Sequence, residues 1–356
     1  AGNHYLSIIL NGNNVMKKIL SLFSGAGGID IGFKSNSFET YAAIDNWQVA
    51  CDTLKENKIS KNVICSNIKD IDFSKFKGKV DCIVGGPPCP PYSKSRFYIK
   101  EKKRALEDED SYTLVYFCKA LKVIKPKVFF FENVHGFFFK PHKPALDFFE
   151  SECKKIGYNL SYKVINCADF GVPQIRQRFI CVGSLKEYGT FKFPDNTHIN
   201  KKKLDLFSKN KKGWINCKEA IGDLDVPLPE DKDNLAGSKH KHLLKLIPPG
   251  ENYLFFTKER GHPKPEFKWR SRYWSFLLKL SPKEPSWTIQ ASFSNNMGPF
   301  HWNNRFLRID EIKRIQTFPD KYKLLGDFKD QWRLVGNAVP PLLAKVISKE
   351  IKKQLF

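Results

Sequence analysis

Cys89 is the residue whose chemistry the sequence defines most narrowly. It stands between two Pro-Pro pairs, at 87–88 and 90–91, shortly after the apolar run 80–84. Prolines fix the backbone angle φ and remove amide donors, so the position of the thiol is nearly predetermined. A loop cysteine held at a strand end suits nucleophilic attack, provided that nearby positive charge lowers its pKa. The alternative, a buried structural cysteine, is commoner for this residue type and suits the other eight cysteines.

Charged side chains at two further points are candidates to assist this nucleophile. Glu132 follows three consecutive phenylalanines, where it either donates a proton or is simply solvated at a strand end. Arg176 and Arg178 are two residues apart, so an extended segment places both guanidinium groups on one face. That arrangement suits the clamping of a phosphate or a carboxylate. Exposed arginine pairs are common, so a solvated face is the alternative.

A glycine-rich turn lies near the start of the chain. Gly25, Gly27 and Gly28 separate a predicted strand from a predicted helix, which allows a ligand to approach the backbone amides closely. Asp45 ends the next strand, where related folds bind ribose hydroxyls. The turn is not GxGxxG, because Asp30 occupies the place of the last glycine. It indicates an adenosine-type cofactor, with a plain tight turn as the alternative.

Strands and helices alternate around these residues. The pattern predicts strands over 18–23, 40–44, 80–84 and 127–131, and helices over 29–35, 47–57 and 111–124. This alternation favours a parallel, doubly wound α/β sheet, in which ligands bind beyond the carboxyl ends of the strands. Gly25, Asp45, Cys89 and Glu132 all fall at such ends.

The character of the sequence changes after residue 185. Residues 186–304 hold five of the seven tryptophans and show no strand–helix rhythm, which indicates a smaller, irregular second domain. Helical patterns return over 306–315 and 342–351. We therefore divide the chain into a leader or cloning remnant (1–16), a catalytic and cofactor-binding domain (17–185), the second domain (186–304) and a return to the first (305–356).

Composition and charge restrict the class of protein. A hydrophobic fraction of 41% excludes a disordered tail protein and a disulfide-stapled miniature fold. The net charge of +23 predicts a polyanionic partner, although biased codon usage would also enrich lysine. Nine cysteines without a CxxC pair fit neither a zinc site nor a disulfide framework, so we expect no metal and a reducing, intracellular location. No apolar run approaches the roughly 18 residues of a membrane helix.

Taken in order, these segments resemble the cytosine-C5 DNA methyltransferases of bacterial restriction–modification systems, from about residue 17 to the C-terminus. The matching segments are 23–28 (FSGAGG, the cofactor glycine motif), Asp45 (the ribose acid), 87–89 (PPC, the nucleophile loop), 132–134 (ENV, the acid motif) and 174–178 (QIRQR, the QxRxR motif). Arg305, Glu311, Gln316 and 318–320 (FPD) are similar to the motif that scaffolds the recognition domain. Residues 336–341 (GNAVPP) resemble the terminal motif that closes the cofactor pocket.

The resemblance implies a Rossmann-like, S-adenosylmethionine-dependent fold with a target-recognition domain at 186–304. It implies sequence-specific methylation of DNA at C5 of a flipped-out cytosine, through a covalent bond from Cys89 to C6, with Glu132, Arg176 and Arg178 completing the catalytic set. The implied cofactor-binding residues are Phe23, Ser24, Gly25, Gly27, Gly28, Asp45, Asn46, Asn67, Ile68, Pro88, Leu114, Asn337, Ala338 and Val339. The DNA-binding candidates are Ser93, Gln174, Arg260, Arg270 and Arg272; a solvated face is the alternative for the last three.

The resemblance also implies partners and a location. The partner is double-stranded DNA, and a cognate restriction endonuclease would act separately. We expect a monomer without membrane attachment, in the cytoplasm and associated with the nucleoid in use.

Two positions depart from the family pattern. Pro90 replaces the usual glutamine after the nucleophile, which removes a side-chain amide and a backbone donor. Asn67 replaces the acid that usually precedes Ile68, and an amide can still hydrogen-bond an adenine edge. We expect cofactor binding to survive this second change.

Three other functions compete with this interpretation. A tRNA cytosine methyltransferase of the same family usually carries a Cys-Phe-Thr tripeptide in its second domain, and none occurs here. A catalytically silent DNA-binding protein would not need Cys89, Glu132 and the paired arginines. A nicotinamide-dependent enzyme would favour GxGxxG. Competition between DNA and tRNA, and titration of cofactors, would separate these alternatives.

Overall fold

The computed structural model describes residues 16–88, 112–138, 143–203, 210–232 and 236–356. The chain divides into two compact units, each built from separated segments. Unit 1 comprises the residues up to 165 together with 177–194 and 343–356. Unit 2 comprises residues 166–176 and 195–342. The domain boundaries expected from the sequence stay a prediction.

The strands are numbered in chain order. They are β1 (Lys17–Leu22), β2 (Phe38–Asp45), β3 (Val63–Cys65), β4 (Cys82–Gly85), β5 (Val128–Val134), β6 (Tyr158–Asn166), β7 (Gln174–Ile175), β8 (Gln177–Leu185), β9 (His198–Ile199), β10 (Lys212–Gly213) and β11 (Ser286–Trp287).

The α-helices follow the same convention. They are α1 (Gly28–Lys34), α2 (Gln48–Glu56), α3 (Tyr112–Ile124), α4 (Lys143–Ile156), α5 (Cys217–Ile221), α6 (Lys241–Leu246), α7 (Ile309–Ile315), α8 (Phe328–Asn337) and α9 (Pro341–Leu355). The strands and helices predicted from the sequence are all present, with ends that agree to within four residues.

Unit 1 is built on a seven-stranded sheet in the order β3-β2-β1-β4-β5-β8-β6. The first five of these strands are parallel, as predicted. The difference from the prediction is β8, which runs antiparallel to β5. Its register sets Arg178, at the start of β8, opposite Val134, at the end of β5. The reversed strand therefore delivers a guanidinium group to the carboxyl end of the parallel sheet.

The core of unit 1 is largely aromatic. Successive side chains of β5 point to opposite faces of the sheet. On one face Phe131 stacks on Phe149 of α4, with ring centroids 4.5 Å apart, and also contacts Phe117 of α3 at 5.2 Å. On the other face Phe130 meets Phe33 of α1 edge-on at 5.6 Å. Helices on both faces bury β5 from Val128 to Asn133, which explains its continuous apolar run.

Unit 2 has little regular sheet. Each described strand that lies wholly within it has two residues, and the strands form two small pairs, β7 with β11 and β9 with β10. Its apolar core includes Tyr253, Phe256, Phe276, Leu277 and Phe300. Compact turns and loops therefore pack around an apolar cluster in this unit.

Three observations bear on the chemistry that the fold can support. No helix in the described ranges is both long and apolar enough to cross a bilayer. The eight cysteines within those ranges are all free thiols. The same part of the chain contains no group of three or more His, Cys, Asp or Glu side chains arranged to hold a metal ion.

Candidate active site

The glycine turn after β1 is open on its outer side. Gly25 and Gly27 have φ of +52° and +72°, in the left-handed region that glycine adopts without strain. Phe23, at the start of the turn, also has a positive φ of 55°, which is rare for a residue with a side chain. A side chain added at Gly25 would meet no protein atom within 4 Å. Space beside this backbone is therefore available to a ligand.

Asp45 fixes the turn to the end of β2. One carboxylate oxygen accepts a hydrogen bond from the Gly25 amide at 2.8 Å, and the other accepts one from the Trp47 amide at 2.9 Å. Each carboxylate oxygen has a second lone pair, so Asp45 can also accept from a ribose hydroxyl. Asn46, beside it, is exposed. This donor and acceptor set fits the ribose of S-adenosylmethionine.

Asp30 supports the turn from beneath, a role that the sequence did not reveal. Its buried carboxylate accepts hydrogen bonds from Ser21 Oγ at 3.0 Å and Thr40 Oγ1 at 2.9 Å. Burial raises its pKa to about 6, and the two hydroxyl donors oppose that shift. Ser24 continues the network by donating to Ser21 Oγ at 2.9 Å. The acid found in place of a glycine thus cross-links β1, α1 and β2.

The remaining cofactor candidates of unit 1 surround the ends of β3 and α3. Asn67 caps the short 3-10 turn Ile68–Asp70 by accepting from the Lys69 amide at 3.0 Å, and its amide donates to the Tyr112 hydroxyl at 3.4 Å. Ile68 and Leu114 are buried. The substitution of an amide for the usual acid is therefore accommodated by local hydrogen bonds. The binding of the cofactor by these residues stays a prediction.

Glu132 and Arg178 form an ion pair at the carboxyl end of the sheet. Arg178 Nε lies 2.8 Å from Glu132 Oε1, and both side chains are largely buried. A Cβ atom added at Gly86 would lie 2.7 Å from Glu132 Oε2, so only glycine leaves room for this carboxylate. The positive charge of Arg178 also lowers the pKa of neighbouring His135, after the larger effect of burial. The pair defines a fixed carboxylate beside the loop that follows β4.

That loop leads to the predicted nucleophile. Asn133 Nδ2 donates to the Pro87 carbonyl at 3.3 Å, and Thr113 Oγ1 donates to the Pro88 carbonyl at 3.1 Å. Cys89 lies outside the described residues, as does Ser93. Asn133 and Thr113 are positioning residues that the sequence alone did not identify.

Gln174 and Arg176 are fully buried within unit 2. The Arg176 guanidinium donates to the carbonyls of Ile289 at 3.0 Å, Gly336 at 2.8 Å and Ala338 at 3.1 Å. Gln174 accepts from the Ile289 amide at 3.0 Å. The Arg176 bonds hold residues 336–338 in place, and the catalytic role expected of Arg176 stays a prediction. Direct contact of Gln174 or Arg176 with DNA stays a prediction.

The terminal motif is further fixed by Gln316. Its side-chain amide donates to the Val335 carbonyl at 2.7 Å and accepts from Gln174 Nε2 at 2.9 Å. Asn337 is exposed, whereas Ala338 and Val339 are buried. Gln174 and Arg176, together with residues 335–338, are thus parts of one hydrogen-bonded cluster of unit 2. The cofactor contacts expected of these three residues stay predictions.

Arg305 and Glu311 form the buried centre of the scaffolding motif. Two hydrogen bonds, of 2.9 and 2.7 Å, join the guanidinium to the carboxylate in the bidentate geometry that makes such pairs strong. Arg314 makes a second two-pronged contact with Asp320, at 2.8 Å for each bond, and lowers the pKa of that carboxyl. The first pair lies at the start of α7, and the second joins the last turn of α7 to the residues that follow it.

The candidate DNA-binding arginines of unit 2 are on its surface. Arg260, Arg270 and Arg272 are all exposed, and among the residues that the structure describes only Arg260 approaches an acid, at 3.9 Å from Glu251. Arg270 has a positive φ of 52°. Their contact with DNA stays a prediction.

The sheet of unit 1, with an open glycine turn and an acid at the end of β2, defines the class of S-adenosylmethionine-dependent methyltransferases. Within that class, the C-5 cytosine-specific DNA methylase family matches residues 17–353. The chain belongs to this family, whose members use S-adenosylmethionine as the methyl donor to cytosine C5. The membership and the cofactor predicted from the sequence are confirmed.

Known relatives agree with this assignment over nearly the whole chain. The Type II methyltransferase M.SacI of Streptomyces achromogenes is 35% identical, over 95% of this chain and 93% of its own length. M.MthTI of Methanothermobacter thermautotrophicus is 31% identical, over 95% of this chain and 97% of its own length. A crystal structure of Spodoptera frugiperda DNMT2 superposes with a TM-score of 0.66 at 18% identity, over 94% of this chain and 99% of that one. The structure of EhMeth of Entamoeba histolytica superposes with a TM-score of 0.65 at 16% sequence identity, over 96% of this chain and 99% of that one.

Proposed function

We propose that this enzyme methylates C5 of one cytosine within a specific sequence of double-stranded DNA, through a covalent bond between Cys89 Sγ and C6 of the base. Family membership supports the reaction class. The observation that carries the assignment of roles is the Glu132–Arg178 pair, 2.8 Å long, beside the loop that follows β4. A nucleophile, a fixed carboxylate and a cation are the groups that this chemistry requires.

The reaction needs covalent activation because C5 of cytosine is a weak carbon nucleophile. Addition of the Cys89 thiolate to C6 of a ring protonated at N3 moves electron density to C5. The Glu132 carboxylate stabilises this protonated ring by accepting hydrogen bonds from its N3–H and amino groups. Bound S-adenosylmethionine supplies an electrophilic methyl group. Loss of the C5 proton to water and release of Cys89 Sγ as the thiolate then restore the aromatic ring, and S-adenosylhomocysteine is the second product. Arg178 keeps the Glu132 carboxylate at a fixed position throughout.

The target base must leave the duplex before Cys89 can reach it. Extrusion of one nucleotide costs roughly a few kcal/mol, which contacts with the rest of the DNA must offset. The net charge of +23 supplies favourable contacts with phosphates. We therefore expect DNA binding to weaken steeply as the salt concentration rises.

The biological role follows from the relatives. M.SacI and M.MthTI are named as Type II methyltransferases, and such enzymes belong to restriction–modification systems. We propose that this chain protects host DNA in the same way, as a cytoplasmic monomer on the nucleoid, while a separate endonuclease cleaves unmodified DNA.

The test is bisulfite sequencing of DNA from a methylation-deficient host that expresses the chain. We expect protected cytosines confined to one short motif, and none with Cys89→Ala. Binding of S-adenosylmethionine to the purified variant, measured by calorimetry, should match the wild type. Methylated DNA in cells that express Cys89→Ala would refute the covalent mechanism. Methylation of total tRNA but not of DNA by the purified enzyme would refute the substrate.

A further inference from the structure

Unit 2 exposes a continuous segment of basic and aromatic side chains. Every residue from Lys268 to Trp274 is exposed, and Tyr273 has 81% of its surface open to solvent. Trp269, Tyr273 and Trp274, together with Trp287 of β11, form what we call the aromatic platform. Isolated exposed apolar residues are ordinary, whereas an exposed Trp274–Trp287 ring contact, with Tyr273 and Trp269 close by in the sequence, indicates an interaction surface.

The charge around the platform is predominantly positive. Residues 258–274 contain six lysines and arginines, at 258, 260, 264, 268, 270 and 272, against two glutamates, at 259 and 266. The guanidinium of Arg270 lies over the Trp269 ring, 5.7 Å from its centroid. Between residues 267 and 283 the sequence contains no acid. The charge complements a polyanion, which disfavours an apolar protein partner.

The backbone beneath these exposed side chains is held firmly. The buried Tyr253 hydroxyl donates to the Arg272 carbonyl at 2.8 Å and accepts from the Arg272 amide at 3.1 Å. Asn252, also buried, donates to the Trp274 carbonyl at 2.7 Å. Arg270 has a positive φ of 52°, a strained conformation for arginine. A surface that is fixed before binding loses little entropy when a ligand arrives.

The platform is connected to the QxRxR segment within unit 2. The Trp274 and Trp287 rings contact each other edge-on, with centroids 5.6 Å apart. Trp287 pairs with Ile175 of β7, the residue between Gln174 and Arg176. The next residue, Thr288, donates to the Ile175 carbonyl at 2.8 Å. The aromatic surface thus continues from the strand beside a catalytic motif of the family.

We infer that the aromatic platform stacks an unstacked base of the bound DNA, while Arg270 and Arg272 contact the flanking phosphates. The inference rests on the proposed function, because extrusion of the target cytosine leaves bases without their normal stacking partners. Aromatic faces stack on any base, and adjacent cations hold the backbone, so this chemistry is that of single-stranded or locally opened DNA.

Tyr273 allows a sharp test, because Tyr273→Phe keeps the stacking face and Tyr273→Ala removes it. The probes are fluorescein-labelled (dT)20 and a 20-base-pair duplex containing the methylated motif, with dissociation constants measured by anisotropy. Loss of one stacked base weakens binding by roughly 5- to 150-fold. We expect Tyr273→Ala and Trp274→Ala to weaken binding of (dT)20 within this range, and Tyr273→Phe to remain within twofold. Leu246→Ala removes a 64% exposed side chain elsewhere in unit 2 and serves as the control.

The outcomes separate the platform from the proposed function. Wild-type affinity of Tyr273→Ala for both probes would overturn the platform, whether or not the enzyme methylates DNA. Weakened binding by Tyr273→Phe as large as by Tyr273→Ala would overturn stacking as the mechanism. A third outcome combines two results: the alanine variants bind DNA weakly, and the wild-type enzyme transfers no methyl group to DNA. This outcome would support the platform and refute the proposed function. Thermal unfolding of each variant identifies any that fails to fold.

Discussion

Gly86→Ala tests whether the Glu132 carboxylate must occupy its observed position. The added Cβ would lie 2.7 Å from Glu132 Oε2, whereas ordinary contact begins at 3.4 Å, a deficit of 0.7 Å. Gly86 does not have a left-handed φ, so its backbone accepts alanine and the conflict is confined to the carboxylate. Glu132 is largely buried and paired with Arg178, so it cannot move without disturbing the pair.

The displacement sets the expected size of the effect. A misplacement of about 1 Å in a catalytic group costs on the order of 100-fold in rate, so we expect kcat to fall between 10- and 100-fold. Overpacking of this kind costs about 1–3 kcal/mol of stability. Binding of S-adenosylmethionine should change little, because Gly25 and Asp45 are untouched.

The assay measures transfer of a tritiated methyl group to DNA from a methylation-deficient host, and urea unfolding gives the free energy of unfolding. A double-mutant cycle with Glu132→Ala isolates the steric term. In that background Gly86→Ala should cost less than about 0.5 kcal/mol of stability. An equal cost in both backgrounds, or a wild-type kcat for Gly86→Ala, would refute the steric argument.

Three further predictions follow from other contacts. Asn133→Ala removes the hydrogen bond to the Pro87 carbonyl. It should lower kcat about tenfold or more and cost about 1 kcal/mol of stability, measured by the same two assays. An unchanged kcat would contradict the anchoring role. Burial lowers the pKa of Lys279 to about 8, below its unfolded value of 10.5. As the pH rises, the folded state therefore loses this proton before the unfolded state does. The free energy of unfolding should rise by up to about 3 kcal/mol between pH 8 and 10.5. Urea titrations should show that Lys279→Met removes this gain; an identical pH profile would be evidence against it. Phe131→Ala should cost about 3–5 kcal/mol, because its ring stacks on Phe149 in the core of unit 1; calorimetric unfolding within 1 kcal/mol of the wild type would disprove that estimate.

The strand–helix order of unit 1 could be predicted because each element carries a local signal. β5 is a continuous apolar run, and the glycine turn marks the junction of β1 and α1. β8 gave no sign of its direction, because antiparallel pairing with β5 depends on a partner more than 40 residues away. The local sequence pattern predicts whether a segment is a helix or a strand. It does not predict which strand a given strand will pair with in the sheet.

The candidate site could be predicted as a set of residue types, and less well as a set of roles. The pairing of Glu132 with Arg178 requires the register of two strands, which no spacing in the sequence encodes. Arg176 looked identical to Arg178 in the sequence, yet its guanidinium binds main-chain carbonyls. Burial decides between these roles, and burial depends on segments more than 100 residues away. Asp30 illustrates the same limit, since its hydroxyl partners come from two different strands.

The arrangement of unit 1 also has a consequence for its synthesis on the ribosome. Asn36, just after α1, donates to the Lys345 carbonyl of α9 at 2.8 Å, and Ser348 of α9 donates to the Gly32 carbonyl at 3.4 Å. These contacts join residues more than 300 positions apart, so they cannot form until the last helix has emerged. During translation the first strands of the sheet are made long before α9, the helix that covers them. Nearly the whole of unit 2 is synthesised between these strands and α9. Unit 1 therefore completes its fold only after α9 has been made, and a product truncated before residue 341 would lack that helix on its first-made unit.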